Sequence, residues 1–200
     1  MKHIYNKGKN ENTLLLLHGT GGDENDLLEI GKIIDGDANV LSVRGNVLEG
    51  SMPRFFKRLR EGLFDLEDLE FRTNELSQFI NESSEKYKFD RNKVIAVGYS
   101  NGANIAGSLL FKIKDSLKGA ILLRPMVPWR GINLPDQSNT KVFIAAGTND
   151  NICPPSESEE LAKLLTDANT KVHLEWINGT HRLTYNELEL ARDWYNKELK

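Results

Sequence analysis

The chain is short of the groups that mark metalloproteins, disulfide scaffolds and membrane proteins. Its single cysteine, Cys153, excludes an internal disulfide and a cysteine-rich zinc site. Four histidines are present, and no two stand at the spacing of a metal-ligand pair. No apolar run approaches the length that spans a bilayer, and the opening Met1-Lys2-His3-Ile4-Tyr5-Asn6-Lys7 lacks the apolar core of a signal peptide. Charge of one sign is missing too. The 26 basic and 29 acidic residues are interspersed and sum to −3, which leaves no electrostatic footprint for nucleic acid. Repeats, low-complexity tracts and linkers are absent. These absences lead us to expect a soluble cytoplasmic protein with no nucleic-acid partner and no membrane insertion.

Two hundred residues with 39% hydrophobic content are enough for a buried core, and we expect one domain spanning 1–200. Thr13-Leu14-Leu15-Leu16-Leu17 is a continuous apolar run bounded by polar residues and glycines, the pattern of a strand buried on both faces. Further strands are expected at Asn39 to Arg44, Val94 to Val97, Ala120 to Leu123, Val142 to Ala146 and Val172 to Ile177. Helical spacing appears in Leu76, Phe79, Ile80 and Tyr87, and again in Ile105, Ala106, Leu109, Leu110 and Ile113. Asp23 to Asp26 offer caps for a helix after the first strand. Ser156 with Glu159, and Thr184 with Glu187, have the capping-box spacing of two later helix starts. Strands alternating with helices predict an α/β fold with a mostly parallel central sheet and helices on both faces. The longest irregular stretches, Gly45 to Asp68 and Pro125 to Thr140, are candidate pocket walls, and no large lid domain is expected.

The chemistry begins at Gly98-Tyr99-Ser100-Asn101-Gly102, which follows an apolar strand and precedes a helix. Serine is a weak nucleophile unless it is exposed beside a base, and a sharp strand-to-helix turn with glycines two positions either side achieves this. The bare pattern arises by chance about one time in 15 in a chain of this size, so context must decide. His181 in Asn178-Gly179-Thr180-His181 and Asp150 in Ala146-Gly147-Thr148-Asn149-Asp150 each follow a predicted strand. Functional crevices form at such carboxyl ends, and Ser100, Asp150, His181 is the chain order of α/β-hydrolase triads. Backbone N–H groups of Thr20, in the loop His18-Gly19-Thr20-Gly21-Gly22, and of Asn101 are the candidate oxyanion donors. His18 reads as a structural residue of that loop. Arg44, Met52, Phe55, Phe56, Met126 and Trp129, with Phe64, are candidate pocket residues, with core packing an equal alternative for each. Cys153 reads as a small buried residue near Asp150.

Leu17-His18-Gly19-Thr20-Gly21-Gly22-Asp23-Glu24-Asn25-Asp26-Leu27, the elbow, Gly147-Thr148-Asn149-Asp150 and Gly179-Thr180-His181 together resemble the phospholipase/carboxylesterase family of small α/β-hydrolases. Arg44-Gly45-Asn46-Val47-Leu48-Glu49-Gly50-Ser51-Met52-Pro53-Arg54-Phe55-Phe56 is similar to a bacterial branch described as hydroquinone-linked carboxylesterases. The resemblance implies a serine carboxylesterase of short-chain esters that needs no cofactor or metal, with Ser100, Asp150 and His181 as its triad. It departs from the family at Asn101, where glutamine is common. A thioesterase or lysophospholipase with the same triad, or a non-catalytic small-molecule receptor on this scaffold, are the alternatives. The expected partner is a small-molecule ester, and a homodimer is compatible with the sequence.

Overall fold

The computed structural model describes residues 1–200. The chain opens with β1 (His3–Asn6), β2 (Thr13–Leu17), α1 (Leu28–Asp35) and β3 (Asn39–Val43). Four short strands follow: β4 (Val47–Glu49), β5 (Met52–Arg54), β6 (Arg58–Arg60) and β7 (Leu63–Phe64). Then come α2 (Leu66–Tyr87), β8 (Val94–Tyr99), α3 (Asn101–Lys112), β9 (Gly119–Leu123) and β10 (Lys141–Gly147). The chain ends with α4 (Pro155–Asp167), β11 (Lys171–Ile177) and α5 (Tyr185–Glu198). A seven-stranded sheet runs β1-β3-β2-β8-β9-β10-β11. All its pairings are parallel except β1 with β3.

The leucine run forms the middle of this sheet because every residue of β2 is buried. Side chains alternate across a strand, so Leu15 and Leu17 enter one apolar cluster while Leu14 and Leu16 enter another. The first cluster takes Leu76 of α2, Ile105 of α3 and Leu161 of α4. The second takes Ile34 of α1 and Leu188, Ala191 and Tyr195 of α5. Helices therefore cover both faces, and burial of each such leucine contributes about 2–3 kcal/mol. Because β2, β8, β10 and β11 run parallel, the loops after them emerge along one edge.

Several expected boundaries are corrected. The stretch Gly45 to Asp68 is not irregular, since it folds into the hairpins β4–β5 and β6–β7 and gives α2 its first turn. Asp65 caps that helix by accepting from the Asp68 N–H at 3.1 Å. Asp23 to Asp26 do not cap α1, which starts after Leu27. Asp23 Oδ1 instead accepts from the Asn25 N–H at 2.8 Å, a local turn that competes with helix. Ser156 does not cap α4 either. Pro155 supplies the first helical residue, its ring having set φ in advance and removed an N–H that would have lacked a partner. The box at Thr184 and Glu187 forms as its spacing predicts.

The two ends of the chain are tied by Tyr195, fully buried, whose hydroxyl donates to Asp35 Oδ2 at 2.8 Å and accepts from Asn12 Nδ2 at 2.9 Å. Tyr195→Phe leaves both buried partners one hydrogen bond short. The expected cost is about 1–2 kcal/mol, read as a Tm lowered by roughly 2–8 °C in a thermal scan.

Candidate active site

Ser100 sits between β8 and α3 with φ +51° and ψ −112°, a backbone conformation that side-chain-bearing residues rarely adopt. The tight turn brings chain segments together so closely that only glycine fits on either side. A Cβ on Gly98 would lie 2.6 Å from the Gly102 carbonyl oxygen, and one on Gly102 would lie 1.9 Å from that of Leu17. The G-x-S-x-G spacing thus has a steric cause: it lets α3 start against the end of β2.

The loop after β11 brings His181 to this turn, and the loop after β10 brings Asp150. His181 Nε2 is 2.9 Å from Ser100 Oγ, and His181 Nδ1 is 2.8 Å from Asp150 Oδ2. A carboxylate can only accept, so Nδ1 carries the proton and Nε2 is left to accept from the serine hydroxyl. Asp150 is buried. Its other oxygen accepts from the Ile152 and Cys153 N–H groups, each at 2.8 Å, which fixes the carboxylate plane. The structure brings together Ser100, Asp150 and His181, the three residues proposed from sequence as a triad.

Arg124, fully buried with φ +55°, was not singled out from sequence. Its Nε donates to the Thr180 carbonyl at 2.9 Å, and Nη2 to that of Arg182 at 3.3 Å. Nη1 donates to the Ala145 carbonyl at 3.2 Å and to Glu187 Oε2 at 2.5 Å. The guanidinium therefore grips the backbone on both sides of His181 and passes 4.0 Å from Asp150 Oδ2. Tyr99 adds a further tie by donating its hydroxyl proton to the His181 carbonyl at 3.1 Å. The only sequence signal for this clamp is Glu187, which also serves the capping box of α5.

A narrow cleft of about 30 Å³ opens beside Ser100, lined by Thr20, Asn101, Arg54, Arg58, Phe64 and Met126 among others. That volume holds about two waters. Thr20 spends its backbone N–H on no protein group, and Asn101 is the first residue of α3, where a helix leaves its N–H without an internal acceptor. His18 holds the Thr20 loop: Nε2 accepts from the Gly45 N–H at 3.0 Å, and Nδ1 faces the Gly19 carbonyl at 2.6 Å. Burial lowers its pKa, keeping the ring neutral.

Of the expected pocket residues, Met126 and Phe64 line the cleft and the others do not. Arg44 is turned away into ion pairs with Asp23 and Glu24. Met52 is largely exposed, lying over Gly21. Phe55 and Phe56 are core residues, packed on His18 and Phe64, and Trp129 is buried with its indole N–H donated to Ser108. Aromatic side chains maximise burial, and here the core outbids the cleft for them. Arg54, Arg58 and Asn104 line the cleft instead. Cys153 also lines it, and burial together with the charge of Asp150 pushes its thiol pKa up. Asp150, Cys153 and His181 place potential metal-binding atoms within 4.8 Å of one another. Asp150 Oδ2 and both ring nitrogens of His181 are already committed to the hydrogen bonds above. A wider groove of about 490 Å³, along β11 and α5, contains none of the three.

Comparison with known proteins finds related hydrolases. A family model described as phospholipase/carboxylesterase matches residues 3–199. The chain is 59% identical over 199 residues to a putative hydrolase, MhqD, of Bacillus subtilis (strain 168), covering 100% of both chains. The crystal structure of a Bacillus cereus carboxylesterase superposes with TM-score 0.97 at 59% identity, covering 98% of this chain and 94% of that one. A structure of YahD with malic acid superposes with TM-score 0.90 at 32% identity, covering 100% and 99%.

Removing the clamp should cost stability as well as geometry. Arg124→Met strands Glu187 as a buried unpaired carboxylate, a loss of about 3–5 kcal/mol. Urea denaturation should show the midpoint falling accordingly, and Glu187→Gln combined with Arg124→Met should recover part of the loss.

Proposed function

The chain belongs to the phospholipase/carboxylesterase family and is a carboxylic ester hydrolase, and from that premise we propose that it acts as a serine carboxylesterase on small or short-acyl esters. The observation that carries this reading is the unbroken hydrogen-bond chain from Ser100 Oγ through His181 to Asp150, at 2.9 and 2.8 Å. As Ser100 attacks the ester carbonyl, His181 Nε2 takes the hydroxyl proton. Negative charge collects on the carbonyl oxygen, within reach of the Thr20 and Asn101 N–H groups, and such donors contribute about 3–4 kcal/mol each to the transition state. His181 then gives its proton to the departing alkoxide, leaving an acyl group on Ser100. Water, deprotonated by the same imidazole, attacks that acyl-enzyme and releases the carboxylic acid. Asp150 accepts from Nδ1 throughout, holding the productive tautomer and stabilising the imidazolium.

A cleft of about 30 Å³ supports a short acyl group over a long lipid chain. Malic acid, named with the relative YahD, is likewise a small polar molecule and not a long-chain lipid.

Ser100→Ala should lower the hydrolysis of 4-nitrophenyl acetate and butyrate by about 10⁴-fold or more, followed by release of 4-nitrophenol. Wild-type protein should acquire a fluorophosphonate adduct on Ser100 in mass spectrometry. Undiminished turnover in the variant would rule out the mechanism. A folded wild-type protein that takes no label would favour the receptor reading.

A further inference from the structure

Two residues that line the cleft with Ser100, Arg54 and Asn101, hold donors that no group of the protein accepts. Arg54, on β5, has a side chain only 4% exposed and lines the cleft with Ser100. Its Nε donates to the Phe56 carbonyl at 3.1 Å and its Nη1 to Thr20 Oγ1 at 2.7 Å. Nη1 also lies 3.1 Å from Glu49 Oε2. Nη2 donates to no group of the protein. Glu49 is a shared counterion, because Arg58 engages both its oxygens, with Nη2 to Oε1 at 2.8 Å and Nε to Oε2 at 3.0 Å. Two guanidinium groups on the cleft thus divide one carboxylate. Burial, and after it the charge of Arg58, pulls the Arg54 pKa below its ordinary value, the response of a cation with too little compensation.

Asn101 supplies an independent observation. It is 2% exposed and lines the same cleft. Its Oδ1 accepts from the Phe55 N–H at 2.7 Å. Since that partner is a donor, the amide cannot be turned the other way, and the remaining Nδ2 is a buried donor without any acceptor. A buried amide N–H left unpaired is costly, so a ligand oxygen that accepts from it is favoured. A neutral carbonyl could satisfy Asn101, but only an anion would also balance Arg54. Glu61 stands on the cleft as well, but it is exposed, so solvent screens its charge far more than that of the buried guanidinium.

We propose that Arg54 and Asn101 form a carboxylate-binding subsite, so that the ester cleaved at Ser100 carries an anionic carboxylate on its acyl or its alcohol portion. The inference rests on the serine esterase reading above. A carboxylate offers two coplanar oxygens, which suits one N–H donor from the free Nη2 of the guanidinium together with one from the amide. Arg58 adds long-range attraction at the mouth, and Arg54 also steadies Thr20 through its hydroxyl. Substrate charge is thereby read beside an oxyanion donor.

The test compares matched esters by proton release in a pH-stat, with the whole wild-type chain. Monoethyl glutarate against ethyl valerate probes the acyl side, and 4-acetoxybenzoate against phenyl acetate probes the alcohol side. One charge-assisted contact in a buried site is worth roughly tenfold or more. In at least one pair the anionic ester should therefore exceed the neutral one by about tenfold in kcat/KM, and that pair identifies where the carboxylate sits. The ratio should shrink as sodium chloride is raised. Arg54→Met should bring the ratio to one or below, whatever it does to the neutral rate, and Arg54→Lys should restore part of it. Should Arg54→Met fail to fold, Arg58→Gln should still reduce the ratio. Neutral esters turned over at least as well as anionic ones in both wild-type pairs would overturn the subsite while leaving the esterase intact. No turnover of any ester, with no fluorophosphonate adduct, would overturn the esterase reading and the subsite with it.

Discussion

The positive φ of Ser100 is the constraint from which the site follows. An L-residue held there costs about 1–3 kcal/mol, and it persists only where its surroundings leave no alternative. Here the surroundings are β8 on one side and α3 on the other, both deeply buried, with glycines at the two positions where a Cβ would strike backbone. The same close approach sets the end of β2 against the start of α3. Consequently the loop after β2 and the first turn of α3 converge on one point, and Thr20, Asn101 and Ser100 line the same cleft. The positions of Ser100, Thr20 and Asn101 are products of a single packing solution.

The acid–base half of the site depends on a different device. His181 lies on a loop, where positional precision has to be imposed from outside. Arg124 imposes it by spending its donors on the carbonyls either side of the histidine, on the neighbouring strand β10 and on Glu187. Buried ion pairs stabilise little against an apolar replacement, because desolvation offsets the Coulomb attraction. What the pair supplies is directional: a planar cation whose hydrogen bonds specify one loop conformation. Glu187 in turn closes the start of α5, so a helix terminus, a buried charge and the His181 loop form one connected unit.

Sheet strands and most helices were legible because their signal is periodic and their cause local. Thr13 to Leu17 reads as a central strand from composition alone, and β8, β9 and β10 differ from expectation only at their ends. β1 escaped notice because it is a four-residue antiparallel edge strand, half in solvent and without a clean alternation. The hairpins between Val47 and Phe64 escaped for a similar reason: strands of two or three residues carry no period to detect. The meeting of Ser100, Asp150 and His181 was legible since loops after parallel strands emerge on one edge and the chain order is distinctive. The cleft wall was not. Phe55, Phe56 and Trp129 were weighed as pocket residues by chemical type, whereas their placement was settled by competition for core volume, a long-range quantity that no local pattern contains.

That competition also decides what the cleft can recognise. With Phe55, Phe56 and Trp129 drawn into the core, Arg54 of β5 lines the cleft with Ser100, and its neighbours stitch the Thr20 loop to the start of α3. The Pro53 carbonyl accepts from the Gly21 N–H at 2.9 Å, while the Phe55 N–H donates to Asn101 Oδ1 at 2.7 Å. One three-residue segment therefore touches both the Thr20 loop and the first turn of α3. The glutamine common after the family's serine has one more methylene, and Asn101 is the length at which the side-chain oxygen meets Phe55 here. A short polar side chain at that position and a short strand opposite it form a matched pair. The tie between the Thr20 loop and α3 and the polarity of the cleft wall thus have the same physical origin, and a change to either should be felt in the other.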